Sequence, residues 1–174
     1  FNIIAGLSSP DEGNVILDGA DITGKPGNIS YMLQKDPLPP YRTIVDNVAL
    51  PLIIRGEKKA AAREKAAAHF EEFGLQGVEH KYPSQLSGGM KQRGALARAL
   101  ALNPKVLLMD EPFSSLDYLS RLTARKTVLE MAERTGCTVF MVTHDIEDAV
   151  ELGTQIGILN AETHRMETVI RTAE

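Results

Sequence analysis

The sequence predicts an α/β domain on a parallel core sheet, with a helical subdomain inserted into it. Three observations carry this. "KVLLMDEP" (105–112) and "CTVFMVTHD" (137–145) are unbroken apolar runs, as in strands buried on both faces. "LDYLSRLTARKTVLEMAERTG" (116–136) lies between them with a helical pattern, and strand–helix–strand order implies parallel pairing. The block 41–105 instead reads as helical, which sets it apart as the inserted subdomain within a single domain over 1–174.

In chain order, "FNIIAGL" (1–7) puts Ile3, Ile4 and Leu7 at helical spacing, and Gly6 with "SSPDEG" ends it. "GNVILDG" (13–19) alternates and closes on Asp-Gly, a strand and turn. "ISYMLQ" (29–34) is a strand stopped by "KDPLPP", a loop breaker. "TIVDNVALPLIIRG" is apolar and broken by Pro51. "EKKAAAREKAAAHFEEFGL" (57–75) is rich in strong helix formers, with Gly74 suited to its end. A further helix opens at Ser87. In the helix 116–136, Leu119, Leu122 and Leu129 share a face and Gly136 is the stop. "IEDAVELG" is a short helix, and "QIGILN" and "METVIR" are closing strands.

Composition narrows the class. Hydrophobic residues make up 43% and charged residues 24%, which gives a globular chain material for a core. The net charge of -4 provides no basic field for nucleic acid. Cys137 is the single cysteine, so a disulfide framework is excluded and the thiol reads as a small buried hydrophobe, compatible with a reducing compartment. No apolar stretch approaches the ~20 residues of a membrane span, and no basic leader with a long apolar run marks a signal peptide.

The chemistry gathers at three places. In "LLMDEP", two acids end a buried strand, where open α/β sheets bind ligands. Neighbouring strand residues face opposite ways, so Asp110 and Glu111 take different tasks. An Asp there can hold Mg²⁺, and a following Glu can orient and polarise a water. In "VTHD", His144 ends the next expected strand at the same edge, where it can donate to a phosphate oxygen or a water. His69, His80 and His164 lack such a position and read as structural or exposed. In "LSGGMKQR", Gly88 and Gly89 allow backbone amides close to an anion, at a helix start with unpaired donors. Ser87 can cap that helix or reach an oxygen. Taken singly, each has an ordinary structural reading as well: a solvated strand end, an exposed His, a Ser-capped helix.

Taken together, "LSGGMKQR", "ARALALNPKVLLMDEP", "SSLD" and "VTHD" resemble, in order and spacing, the signature, Walker B, D-loop and switch-histidine motifs of ABC transporter ATP-binding subunits. Gln34 resembles the family's Q-loop glutamine. The resemblance covers nearly the whole chain and implies a P-loop NTPase fold with an inserted helical subdomain. It implies ATP and Mg²⁺ as cofactors. It gives Asp110 to the metal, Glu111 to the attacking water and His144 to the γ-phosphate. Gln34 links metal and water to the helical subdomain, and Asp117 acts across a dimer interface. Ser87, Gly88 and Gly89 would close over ATP held by a second copy in a head-to-tail homodimer. The implied partners are a transmembrane permease and, indirectly, a periplasmic solute-binding protein. The implied location is peripheral, on the cytoplasmic face of the inner membrane. Tyr41, Arg42, Thr43 and "DNV" (46–48) are similar to importers of nitrate, sulfonate and taurine.

The family's G-x-x-x-x-G-K-[ST] run, whose amides and Lys cradle phosphates, does not occur within 1–174. "FNIIAGL" resembles the helix that follows it. The expectation is therefore a domain seen without its N-terminal part, unable to hydrolyse ATP alone. Two departures stand out: Ser115 where the D-loop commonly has Ala, and Gly94 inside a helix at about 1 kcal/mol against Ala unless packing explains it. The alternatives are a soluble, non-transport ABC ATPase and a P-loop-less, non-catalytic relative.

Overall fold

The computed structural model describes residues 1–34, 38–114 and 116–171. Ser115 and the first three residues of "KDPLPP" lie outside the described residues. The chain forms two compact units, Phe1–Val142 and Thr143–Glu174.

The first unit opens differently from expectation. Residues 1–7 form turns rather than a regular helix, with Ala5 N–H donating to Phe1 and Gly6 N–H to Ile3. Gly6 takes φ 75 and lies so close to the Lys25 backbone that a Cβ would come within 2.6 Å of it. That left-handed residue ends any helical path. The strand at 13–19 shortens to β1 (Ile16–Leu17), which hairpins antiparallel with β2 (Ala20–Asp21). Asp18 and Gly19 between them have φ 50 and 78, the double left-handed turn that matches strand twist.

β3 (Ser30–Met32) leads into the helices. α1 (Ile44–Ile54) starts at Thr43, whose hydroxyl accepts from Asp46 N–H. Pro51 does not break it, contrary to expectation. An interior proline costs about 3 kcal/mol, whereas each buried Ile, Val or Leu returns about 1.5–3 kcal/mol. α1 buries Ile44, Val45, Val48 and Leu52, so packing outweighs the lost bond. α2 (Lys59–Ala68) is braced to α1 through Arg63, which donates to both carboxylate oxygens of Asp46 at 2.7 and 2.6 Å. The regular helix ends at Ala68, short of Gly74. The chain then tightens to i−3 bonds and closes with Leu75 N–H on Phe70 and Gly74 N–H on Glu71, Gly74 having φ 59. This is a Schellman ending, and it delivers Phe70, Phe73 and Leu75 to the core.

α3 (Gly88–Leu100) carries Gly94. A Cβ there would sit 3.1 Å from Leu38 and 3.9 Å from Ile44, so the glycine lets the Leu38 loop and α1 approach the helix. β4 (Val106–Asp110) follows, then α4 (Tyr118–Thr135) and β5 (Thr138–Val142). The three strands form one parallel sheet in the order β3-β4-β5, with Met32 opposite Met109 and Asp110 opposite Val142.

Central β4 is sealed at Leu107, Leu108 and Met109. β5 is not buried on both faces as expected: Phe140 and Val142 remain 43% and 44% exposed. It pairs along one edge only among the described residues, and the Phe140 ring meets Phe1 edge-to-face with centroids 5.0 Å apart. α4 ends at Gly136 in the left-handed region, as expected. Its buried stripe, however, is Ala124, Val128 and Met131, while Leu119 is 72% exposed and Leu122 and Leu129 are also exposed. Cys137 is buried.

In the second unit, α5 (Ile146–Leu152) precedes an antiparallel hairpin of β6 (Gln155–Leu159) and β7 (Met166–Arg171). No helix among the described residues is long and apolar enough to cross a membrane.

Candidate functional site

The carboxyl edge of the first unit's sheet carries the two acids. Asp110 is the last residue of β4 and half-buried. The sequence reading separates it from Glu111 by strand pleat, but the structure separates them by a turn. Glu111 leaves the strand with φ 49, a conformation uncommon for a residue with a Cβ. Its N–H still continues the ladder to the Val142 carbonyl at 2.9 Å. Its own carbonyl accepts from Ser114 N–H at 3.3 Å and from Ser114 Oγ at 3.0 Å. Asp110 is felt on the neighbouring strand: burial, and then the Asp110 charge, push the Tyr31 phenol above its usual range. Gln34 lies two residues beyond Met32, the partner of Met109, so it leaves the sheet at the same edge as the acids and is exposed.

The glycine turn lies at the start of α3. Ser87 is its N-cap, with Oγ accepting from Met90 N–H at 3.3 Å. Helix geometry leaves the amides of Gly88 and Gly89 without intrahelical acceptors. The two glycines differ. A Cβ at Gly89 would stand 3.2 Å from Ser120 Oγ, so packing against α4 accounts for it. A Cβ at Gly88 would meet nothing within 4 Å, and its φ is not left-handed. Neither its backbone conformation nor packing among the described residues explains glycine there. Asp117 joins this neighbourhood as N-cap of α4, its Oδ1 accepting from Ser120 N–H at 3.1 Å. The Ser120 hydroxyl and backbone amides hold the Asp117 carboxyl below its usual range.

His144 belongs to the second unit. β5 ends at Val142, two residues earlier than the sequence suggests. Around the exposed His144, Thr143 Oγ1 accepts from Asp145 N–H at 3.1 Å, and Asp145 caps α5 through the amides of Glu147 and Asp148. Thus Asp110, Glu111 and Gln34 share one sheet edge, and Ser87, Gly88, Gly89 and Asp117 share one helix-start region.

Sequence reasoning quoted Ser114 only as part of "SSLD", with no role of its own, and did not single out Ser120 or Tyr31. Ser114 had a readable signal, a hydroxyl three residues after Glu111. Ser120 and Tyr31 act through tertiary neighbours and had none.

The residues fit a magnesium nucleotide. Asp110 and Gln34 offer hard oxygen donors at one edge, and Mg²⁺ commonly takes one or two carboxylates and completes its shell with phosphates and water. Gly88 leaves open space beside two free helix-start amides, where an anion can approach.

A family model described as ABC transporter matches residues 1–114. The formylaminopyrimidine import ATP-binding protein of Halalkalibacterium halodurans is 43% identical over 91% of this chain and 61% of its own length. The taurine import ATP-binding protein of Pseudomonas aeruginosa is 39% identical over 95% of this chain and 63% of its own. Among solved structures, a dimeric ATP-binding cassette in a post-hydrolysis state, bound to ADP and Pi, superimposes with TM-score 0.84 at 32% identity, covering 99% of this chain and 79% of that one. The chain spans about six tenths of the length of the curated relatives it matches.

Proposed function

Because the chain belongs to the ABC transporter family, whose ATP-binding domains generally hydrolyse ATP, we propose that it is part of the ATP-hydrolysing subunit of a small-solute importer. The carrying observation is Gly88: a helix-start glycine that no contact among the described residues requires, left open beside an exposed Ser87 hydroxyl. Open space beside the unpaired amides of a helix start is space for an anionic group from outside. A nucleotide's phosphates, presented by a second copy of the subunit, fit the free amides there. The dimeric, ADP-bound cassette supports this arrangement.

In this reading Asp110 and Gln34 take the magnesium and Glu111 orients the attacking water. Asp117 acts across the dimer interface. His144 contacts the γ-phosphate, a role resting on the family resemblance. Gln34 passes nucleotide state to a helical subdomain spanning 41–105. The intact protein sits at the cytoplasmic face of the membrane on permease subunits, fed by a solute-binding protein. Tyr41, Arg42, Thr43 and Asp46–Val48 favour nitrate, sulfonate or taurine as solute, and the formylaminopyrimidine relative sets the competing solute to test.

The test uses the full-length natural protein. Wild type is expected to hydrolyse ATP, and Glu111→Gln to lose about a hundredfold or more in kcat while still binding ATP. Turnover unaffected by Glu111→Gln would overturn the assignment. Gly88→Ala is expected to leave the fold intact and suppress turnover. Uptake assays with taurine, nitrate and formylaminopyrimidine then identify the solute.

A further inference from the structure

We propose that Ser114 is a positioning residue for Glu111, fixing its left-handed backbone so that the carboxylate keeps one direction. The proposal rests on the reading of Glu111 given above. Glu111 changes the handedness of the chain at the point where β4 ends. On its amino side the conformation is anchored by the sheet, through the bond to Val142. On its carboxyl side the anchors are the two bonds from Ser114, one from the amide and one from the hydroxyl.

The amide bond is available to any residue at 114, but the hydroxyl bond needs Ser or Thr. Pro112 and Phe113, both buried, hold the intervening turn against the core, so the carbonyl of Glu111 and the hydroxyl of Ser114 are presented to each other across a fixed span. A left-handed L residue relaxes toward commoner backbone regions when its anchors are removed. A small rotation at the Cα of Glu111 swings its carboxylate through a larger arc, and catalysis by an oriented water is sensitive to such displacements. Ser114 is itself exposed, so its hydroxyl is not kept for core packing.

The experiment compares wild type, Ser114→Ala, Ser114→Thr and Glu111→Gln in the full-length protein. It measures ATPase kinetics, thermal midpoint and amide hydrogen exchange at Glu111. Ser114→Ala is expected to lower kcat about five- to tenfold with KM within about twofold, and to speed exchange at Glu111 by a similar factor at an unchanged thermal midpoint. Ser114→Thr is expected to restore both. If the alanine variant does not fold, Ser114→Cys, a weak donor of similar size, carries the same expectation. Wild-type kcat and exchange in Ser114→Ala or its substitute, or a loss that Thr does not restore, would overturn the proposal while Glu111→Gln still silences the enzyme. If Glu111→Gln turns over like wild type, the reading of Glu111 fails and this inference falls with it.

Discussion

Residues 44–100 and residues 118–142 are both rich in apolar side chains, yet they bury them differently. In the helical stretch, α1, the tail of α2 and α3 enclose Ile44, Val48, Phe70, Leu75 and Leu96. In the second stretch, Leu119, Leu122, Leu129, Phe140 and Val142 stay exposed. The partners of the first set come from nearby sequence. A parallel strand, by contrast, needs neighbours and covering layers from distant sequence, and β5 is paired along one edge only among the described residues. The difference teaches that local helix packing closes a core within a short span of chain, while a sheet core depends on long-range completion.

The largest test of this contrast pairs two phenylalanines. Phe70→Ala is expected to cost about 3–5 kcal/mol, because the ring is fully enclosed. Phe140→Ala is expected to cost about 1 kcal/mol, since 43% of the residue is already exposed. Urea denaturation of the chain reads both, and equal costs would erase the distinction.

Next comes Asp46, a buried carboxylate held by Arg63. Asp46→Ala is expected to cost about 2 kcal/mol, the scale of hydrogen bonds to a charged group. The Arg63 hydrogen bonds, helped by Thr43, hold the Asp46 carboxyl below its usual range. A depressed folded pKa gives stability that is complete above the unfolded value, near 3.9, and is lost as pH falls through the folded value. Acid titration of the helical stretch, followed by circular dichroism, should therefore show a loss below about pH 4 that Asp46→Ala reduces.

A smaller effect isolates Gly94. Alanine there gains about 1 kcal/mol of helix propensity but presses on Leu38. In the native background the two oppose each other, and the net change is expected within about 1 kcal/mol of zero. In a Leu38→Ala background, Gly94→Ala should become stabilising by about 1 kcal/mol. A double-mutant cycle checks the coupling, and additivity would remove the packing explanation.

The smallest effect concerns a link between the two stretches. Arg134 at the end of α4 donates to both oxygens of Glu72, with Nη2–Oε2 at 2.8 Å. Both side chains are substantially exposed, so Glu72→Gln is expected to cost less than about 1 kcal/mol and to lose its effect in high salt.

The sequence by itself determined what depends on neighbours along the chain. It places Ser87 where a cap is needed, Gly136 where a helix stops, and Asp110 with Glu111 at the end of a strand. Those signals are local, because they arise from a residue's own backbone freedom or from a side chain meeting an amide three residues away. Tertiary structure decided the rest. Pro51 stays inside α1 because burial outweighs one lost hydrogen bond. Leu119 and Phe140 stay partly exposed because coverage depends on which distant elements arrive, and hydrophobicity alone does not record that. Gly89 is explained by Ser120 and Gly94 by Leu38, whereas Gly88 has no such neighbour. All three belong to α3, and only the space around each shows which of them has a close neighbour among the described residues.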